Sequence, residues 1–380
     1  MFTEKQLERY ADVLWWGLTT AKKVPFKKND IILIRYNSSA VRLAEVLYAG
    51  LLSRGMQPVQ RMSPTATMER DFYLRASSRQ LVFLPPGEKE LMSRLNGSIF
   101  LYAPESITHL SDIDPQKIGK TAVAQKALRD IGNQREARGA FSWTLCVFPT
   151  AELAEHAGLS LGEYTRQIVK SCFLNKTDPV SHWRGIYKNA QSIKKWLNSM
   201  DVDYFHVESD NIDLEIAPGE KRQWIGISGR NIPSFEIFVS PDWRTVRGAY
   251  YADQPSYRSG NRVEGVRLVF QKGRAIKVSA DSGENFVKKQ LAIDKGADKL
   301  GEFSLTDKRF SKINCFMANT LYDENYGGRY GNCHIALGAS YSNTYAGDGK
   351  KLTPTRKRQL GFNESALHWD LVNTEKKSVT

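Results

Sequence analysis

Through the first half of the chain, apolar positions switch repeatedly between helical and strand spacing. Helical spacing starts after Thr3 and Gln6, which stand in the register of a capping box, and runs to about Ala21. "DIILIRY" (30–36) then reads as a buried strand, and "SSAVRLAEVLYAGLLSRG" (38–55) as a helix closed by Gly55. The rhythm continues. "PVQRM", "QLVFL", "SIFLYA" and "SWTLCVF" are further short strands, separated by helical stretches such as "ATMERDFYLRA" and "GEKELMSRL", and helical patterns follow at 151–171 and 178–200. Strands alternating with helices in this way predict an α/β domain with a mostly parallel sheet covered on both faces.

From about residue 201 the texture changes to alternating strands and turns: "DYFHVES", "NIDLEIAP", "QWIGISG", "SFEIFVS" and "VRLVFQKGRAIKVSA". The Lys272-Gly273 pair between two alternating runs predicts a hairpin turn. The expected organisation is therefore an N-terminal α/β domain over 1–205, followed by a strand-rich α+β domain over 206–380. A total of 380 residues suits two domains, because single cores stop growing at roughly 250–300 residues.

Composition narrows the class. With 41% apolar and 25% charged residues the chain is of globular type, and no apolar run approaches the ~20 residues that cross a bilayer. Acidic residues interrupt the first segment where a signal peptide would be apolar, so export is not expected. Four scattered cysteines without a C-x-x-C pair suit reduced thiols in a cytoplasm. The net charge of +13 raises the question of nucleic acid, but the densest basic patch, "KKLTPTRKRQ" (350–359), lacks interleaved aromatics. A solvated basic face, or a field that attracts anionic groups, is the preferred reading.

Chemistry enters with polar residues out of phase with apolar strand faces. In "PSFEIFVSPD", Phe235, Ile237 and Val239 share a face, so Glu236 takes the other; in "LGEFSLTD", Glu302 stands opposite Phe303 and Leu305. In "CHIALG", His334 opposes Ile335 and Leu337. In "ALHWDLV", His368 and Asp370 project together, away from Leu367, Trp369 and Leu371. Carboxylates and imidazoles in this combination suit zinc, cobalt, manganese or magnesium. Spacing alone leaves two readings open, a shared metal site or independent polar residues on a half-exposed sheet. "IGKT" (118–121) lacks the glycine, at Asp114, and the preceding strand of a phosphate-binding loop. Neither H-E-x-x-H nor G-x-S-x-G is present.

Taken in order, "NIPSFEIFVSPD", "LGEFSLTD", "TLYDENYGGRYGNCHIALGASY" and "LHWDLV" resemble the motifs of the thermophilic aminopeptidase family of metallopeptidases. That resemblance implies an aminopeptidase acting on the N-terminal bond of short peptides with two divalent ions (Zn, Co, Mn or Mg). It implies Glu236, Glu302, Glu324, His334, His368 and Asp370 as metal ligands, Glu302 as a shared ligand or acid–base group with Glu324 as second choice for the latter, and Tyr341 as the catalytic tyrosine. It also implies a homodimer. Cys333, one position out of phase with His334, is expected in the core, and Asp323 as a turn cap or a support for a ligand. The rival functions are another metal-dependent hydrolase (an amidase or phosphoesterase), a non-catalytic metal-binding protein, and a nucleic-acid binder.

Overall fold

A computed structural model describes residues 1–380, the side chain of Lys350 excepted. The chain forms two compact units, one of Met1–Trp183 with Ser228–Pro233, the other of Arg184–Ile227 with Ser234–Thr380.

The first unit is built on a five-stranded parallel sheet in the spatial order Gln57–Met62, Ile31–Tyr36, Gly97–Tyr102, Ser142–Val147 and Asn231–Ile232. Its first helix, Glu4–Thr20, begins with the expected capping box: Thr3 Oγ1 accepts from the Gln6 main-chain N–H, and the Gln6 side chain accepts from that of Thr3. Tyr10, Val13, Leu14 and Leu18 form its buried stripe, at the i, i+3/i+4 spacing that defines one helix face. The expected strand "QLVFL" is not one. Residues Ser78–Leu81 make a short helix instead, because Ser77 and Gln80 form a second capping box that satisfies the first-turn donors. The pattern expected as one helix at 151–171 is two, Ala151–His156 and Leu161–Ser171, with Gly158 left-handed between them (φ 69°) and a new cap at Ser160.

In the second unit, a six-stranded antiparallel sheet and a five-stranded one share a single core. The six-stranded sheet carries the predicted hairpin, Val266–Gln271 with Arg274–Ser279, and both Lys272 and Gly273 have the positive φ that such a turn demands. The five-stranded sheet runs in the spatial order His368–Asn373, Asn332–Gly338, Leu300–Thr306, Glu236–Val239 and Ile225–Gly226, every pairing antiparallel. Ile237, Val239, Phe303, Ile335, Leu337, Trp369 and Leu371 point from it into the core, where they meet Val207, Leu214, Tyr250 and Leu268 from the other sheet. Tyr250 secures the junction by donating its hydroxyl to the Leu371 carbonyl (2.7 Å). Burying one face this thoroughly fixes the register, since a slip of one residue would turn every apolar side chain outward. The opposite face is thereby committed as well.

Candidate metal centre

Register decides which side chains meet on that opposite face. Thr306 lies beside Glu236, Ser304 beside both Phe238 and His334, Ala336 between Glu302 and Asp370, and Gly338 beside His368. Small residues, Ser304, Ala336 and Gly338, thus separate the long polar ones and leave room for them to converge. Two glycines allow the strands to come this close. Pairing shifts between Leu300 and Glu302, a bulge that re-aims the glutamate, and a Cβ on Gly301 would lie 2.3 Å from the Ala339 carbonyl oxygen. At Gly338 φ is +102°, and a Cβ there would fall 2.2 Å from the Leu367 carbonyl oxygen.

The result is a buried cluster of four carboxylates and two imidazoles. His334, with no solvent exposure, directs Nε2 at Glu302 Oε1 (3.2 Å) and Glu236 Oε2 (3.3 Å). The other Glu302 oxygen faces His368 Nε2 (3.8 Å), which lies 3.3 Å from Asp370 Oδ1. Nδ1 of His368 meets the Ala339 carbonyl at 3.0 Å, and this acceptor orients the ring. Glu324 reaches the cluster from the turn after the helix Thr320–Asp323, on a different element from the strand ligands. Two triads have ligand atoms all within 4.8 Å of one another: Glu236, Glu302 and His334, and Glu324, His334 and Asp370. The structure therefore brings together all six residues that the sequence singles out as ligands.

Tyr341 stands at the edge of the cluster. Its ring packs edge-on against His368 (centroids 4.7 Å apart) and against Phe238 (5.5 Å), and its main-chain N–H donates to Ser240 Oγ. Although 43% of the residue faces solvent, its hydroxyl titrates well above the usual phenol range, through burial of that end and through Glu302, Asp370, Glu324 and Glu236. Cys333 lies in the core, as expected. Asp323 accepts from the main-chain N–H groups of Met317 (2.7 Å) and Asn319 (2.8 Å), so it ties down the turn that delivers Glu324.

The electrostatics are those of a site short of positive charge. Burial, with repulsion from Glu302 and Asp370, pushes the Glu236 carboxyl up to about 8. Burial also pushes Glu324 well above the carboxylate range, with Glu236, Asp370 and Glu302 adding to the effect. Burial opposes ionisation of Asp370, yet His368, His334 and Arg258 hold it down to about 2. Burial likewise opposes the His368 imidazolium, but Asp370, Glu302 and the Ala339 carbonyl raise its pKa to about 9. Among the described residues the only ion-pair partners of the four carboxylates are the two histidines. Each unpaired buried charge costs several kcal/mol even after relaxation. Among the described residues, moreover, Nδ1 of His334 is buried without a hydrogen-bond partner. A divalent cation among these oxygens and nitrogens removes the repulsion, and the donor set is the hard-to-borderline one such ions prefer. The residues present fit a metal centre.

Strand phase puts Ser304 with Glu302 and Ala336 with His334 on the polar face without marking either for a role; Asn325 lies in a turn, where no periodicity marks it.

The chain is similar to known proteins. Over 393 residues, covering 97% of this chain and 92% of the other, the sequence is 24% identical to aminopeptidase PepS of Streptococcus thermophilus. It is 28% identical over 291 residues to aminopeptidase T of Thermus thermophilus, covering 71% of this chain and 69% of that one. The solved structure of wild-type AmpT from Thermus thermophilus superposes with a TM-score of 0.81 at 22% identity, over 99% of this chain and 95% of that one, which establishes the shared fold. The sequence profile of the thermophilic metalloprotease (M29) family matches residues 3–380, nearly end to end, and the chain belongs to that family.

Proposed function

We propose that this metallo-aminopeptidase removes the N-terminal residue of short peptides with a co-catalytic pair of divalent ions held by Glu236, Glu302, Glu324, His334, His368 and Asp370. The observation that carries the proposal is the position of Glu302, whose two oxygens face a different histidine each. A carboxylate so placed suits a ligand shared between two ions. When bound, such a pair supplies Lewis acidity for the scissile carbonyl and lowers the pKa of an attacking water.

The protein's own groups then divide the remaining work. Glu324 receives the proton as the water oxygen bonds to the carbonyl carbon, and delivers it to the departing amine as the C–N bond breaks. This transfers the acid–base role from Glu302, the first choice on sequence, to the second. A carboxylate shared between two ions would have both oxygens engaged, whereas one serving a single ion would keep an oxygen for the proton. Tyr341 donates its hydroxyl to the tetrahedral oxyanion. Its upward-shifted pKa keeps that hydroxyl protonated near neutral pH. The site would recognise the substrate's free α-amine, which an internal peptide bond does not offer. That preference restricts cleavage to the chain terminus.

Two chains are proposed to pair as a homodimer in a cytoplasmic setting, the latter supported by four free cysteines. No helix among the described residues is long and apolar enough to cross a membrane. The test of function is a panel of aminoacyl nitroanilides, N-blocked analogues and phosphoesters, assayed after chelation and after return of Co, Zn, Mn or Mg. Cleavage of the free-amine substrates alone, lost on chelation and regained with metal, is expected. Full activity in protein shown metal-free by elemental analysis would exclude the mechanism.

A further inference from the structure

Asn325 directly follows Glu324 and is fully buried. Its carboxamide uses its whole hydrogen-bonding capacity. Oδ1 accepts from two consecutive main-chain N–H groups, those of Phe235 and Glu236 (2.5 and 3.0 Å). Nδ2 donates to the Leu321 carbonyl (2.9 Å) and to Glu324 Oε1 (3.4 Å). An amide offers two acceptor and two donor positions, and here all four are taken. One side chain thereby joins the turn carrying Glu324 to the start of the strand carrying Glu236, 89 residues away in sequence.

The surrounding bonds make this link specific. Thr306, the strand neighbour of Glu236, donates its hydroxyl to the Glu324 carbonyl (3.1 Å), and Asn332 Nδ2 donates to the same oxygen (3.1 Å). Ser311 Oγ donates to the carbonyl of Asn325 itself. The main chain at Glu324 is thus held by two side chains of the sheet and that of Asn325 by Ser311 outside it, and the Asn325 side chain adds the direct contact with the Glu324 carboxylate. We propose that Asn325 is a positioning residue that sets the separation of the Glu236 and Glu324 carboxylates before any ion arrives, an inference that rests on the two-ion reading above. Buried carboxylates on two separate elements hold a fixed spacing only if those elements are tied together. A donor is needed at Glu324 and an acceptor at Glu236. The carboxamide supplies both, with two donor and two acceptor positions, where a carboxylate supplies no donor.

The alternative is that Asn325 merely closes a buried turn. Asn325→Asp separates the two roles, because it keeps the acceptor for Phe235 and Glu236 but places a second carboxylate where Nδ2 met Glu324. Metal-free wild type and variant are titrated with Co(II) near neutral pH, following heat and the visible absorption of the bound ion, with circular dichroism to verify the fold. Positioning predicts two ions in wild type, a variant whose weaker ion is lost or bound roughly 10–100-fold more weakly, the range for a lost supporting hydrogen bond, and an altered Co(II) spectrum. A folded variant with wild-type affinities and spectrum overturns the inference, whatever its melting temperature. Fewer than two ions in wild type overturns the two-ion reading and this inference with it. Should the variant not fold, hydrogen exchange of wild type decides. The amides of Phe235 and Glu236 are expected to be protected in the metal-free protein, and free exchange there until ions are added overturns the inference.

Discussion

Replacing Tyr341 by Phe removes one oxygen atom whose whole contribution is assigned to the transition state. The ring would remain where it is, held between His368 and Phe238, and the main-chain bond to Ser240 does not involve the side chain. Among the described residues the hydroxyl has no hydrogen-bond partner, so its loss strands none, and folding stability should change by less than about 0.5 kcal/mol. The loss of one donor to an oxyanion, by contrast, costs about 2.7–4 kcal/mol, or roughly 100- to 1000-fold in kcat. Because the donation is made only in the transition state, kcat and kcat/KM should fall together with KM little changed. Steady-state kinetics on an aminoacyl nitroanilide, with metal content measured on the same samples, checks both halves. A variant that keeps wild-type kcat, or one that loses its metal, would refute the role given to the tyrosine.

Three further outcomes are expected. Glu324→Gln should leave at least one ion bound while lowering kcat by about 100-fold or more, the scale of general acid–base catalysis; a variant with near-wild-type turnover would return the proton-transfer role to Glu302. Gly338→Ala forces a Cβ to 2.2 Å from the Leu367 carbonyl oxygen at a φ of +102°, so thermal unfolding should show a loss of about 1–3 kcal/mol, and an unchanged melting temperature would contradict the close strand approach. In metal-free protein, Glu236 (4.5 raised to about 8) and His368 (6.5 raised to about 9) both bind protons in the native state that the unfolded chain releases. Chemical denaturation in chelator should therefore find stability falling as pH rises from about 4.5 to 9, and a rise across that window would contradict the charge balance assigned to the cluster.

How much of this was written in the sequence depends on the element. Strand phase was legible, because an alternation of two fixes sidedness: Glu236, Glu302, His334, His368 and Asp370 each lie opposite an apolar neighbour that proves to be core. Strand order and register were not. They arise from contacts between distant segments, so nothing local says that Ala336 separates Glu302 from Asp370, or that a bulge at Gly301 re-aims the glutamate. Glu324 sits on no strand and entered through resemblance alone. The return of residues 228–233 to the first unit leaves no periodic trace either, since the strand Asn231–Ile232 is two residues long. In "QLVFL", a local cap at Ser77 outweighed an apolar run, which shows that five apolar-rich residues do not specify a strand against a satisfied helix start.

Convergence of Glu236, Glu302, Glu324, His334, His368 and Asp370 on a pair of ions is tested most directly by counting ions. Metal bound per chain and peptide turnover are measured for wild type, Glu302→Gln and His368→Ala, two residues about 66 positions apart in sequence. Wild type is expected to hold two ions, and each variant fewer, with turnover lost in both. Independent polar residues on an exposed sheet would give surface-like effects below about 0.5 kcal/mol on stability. Unchanged metal content and turnover in either variant would contradict the shared site.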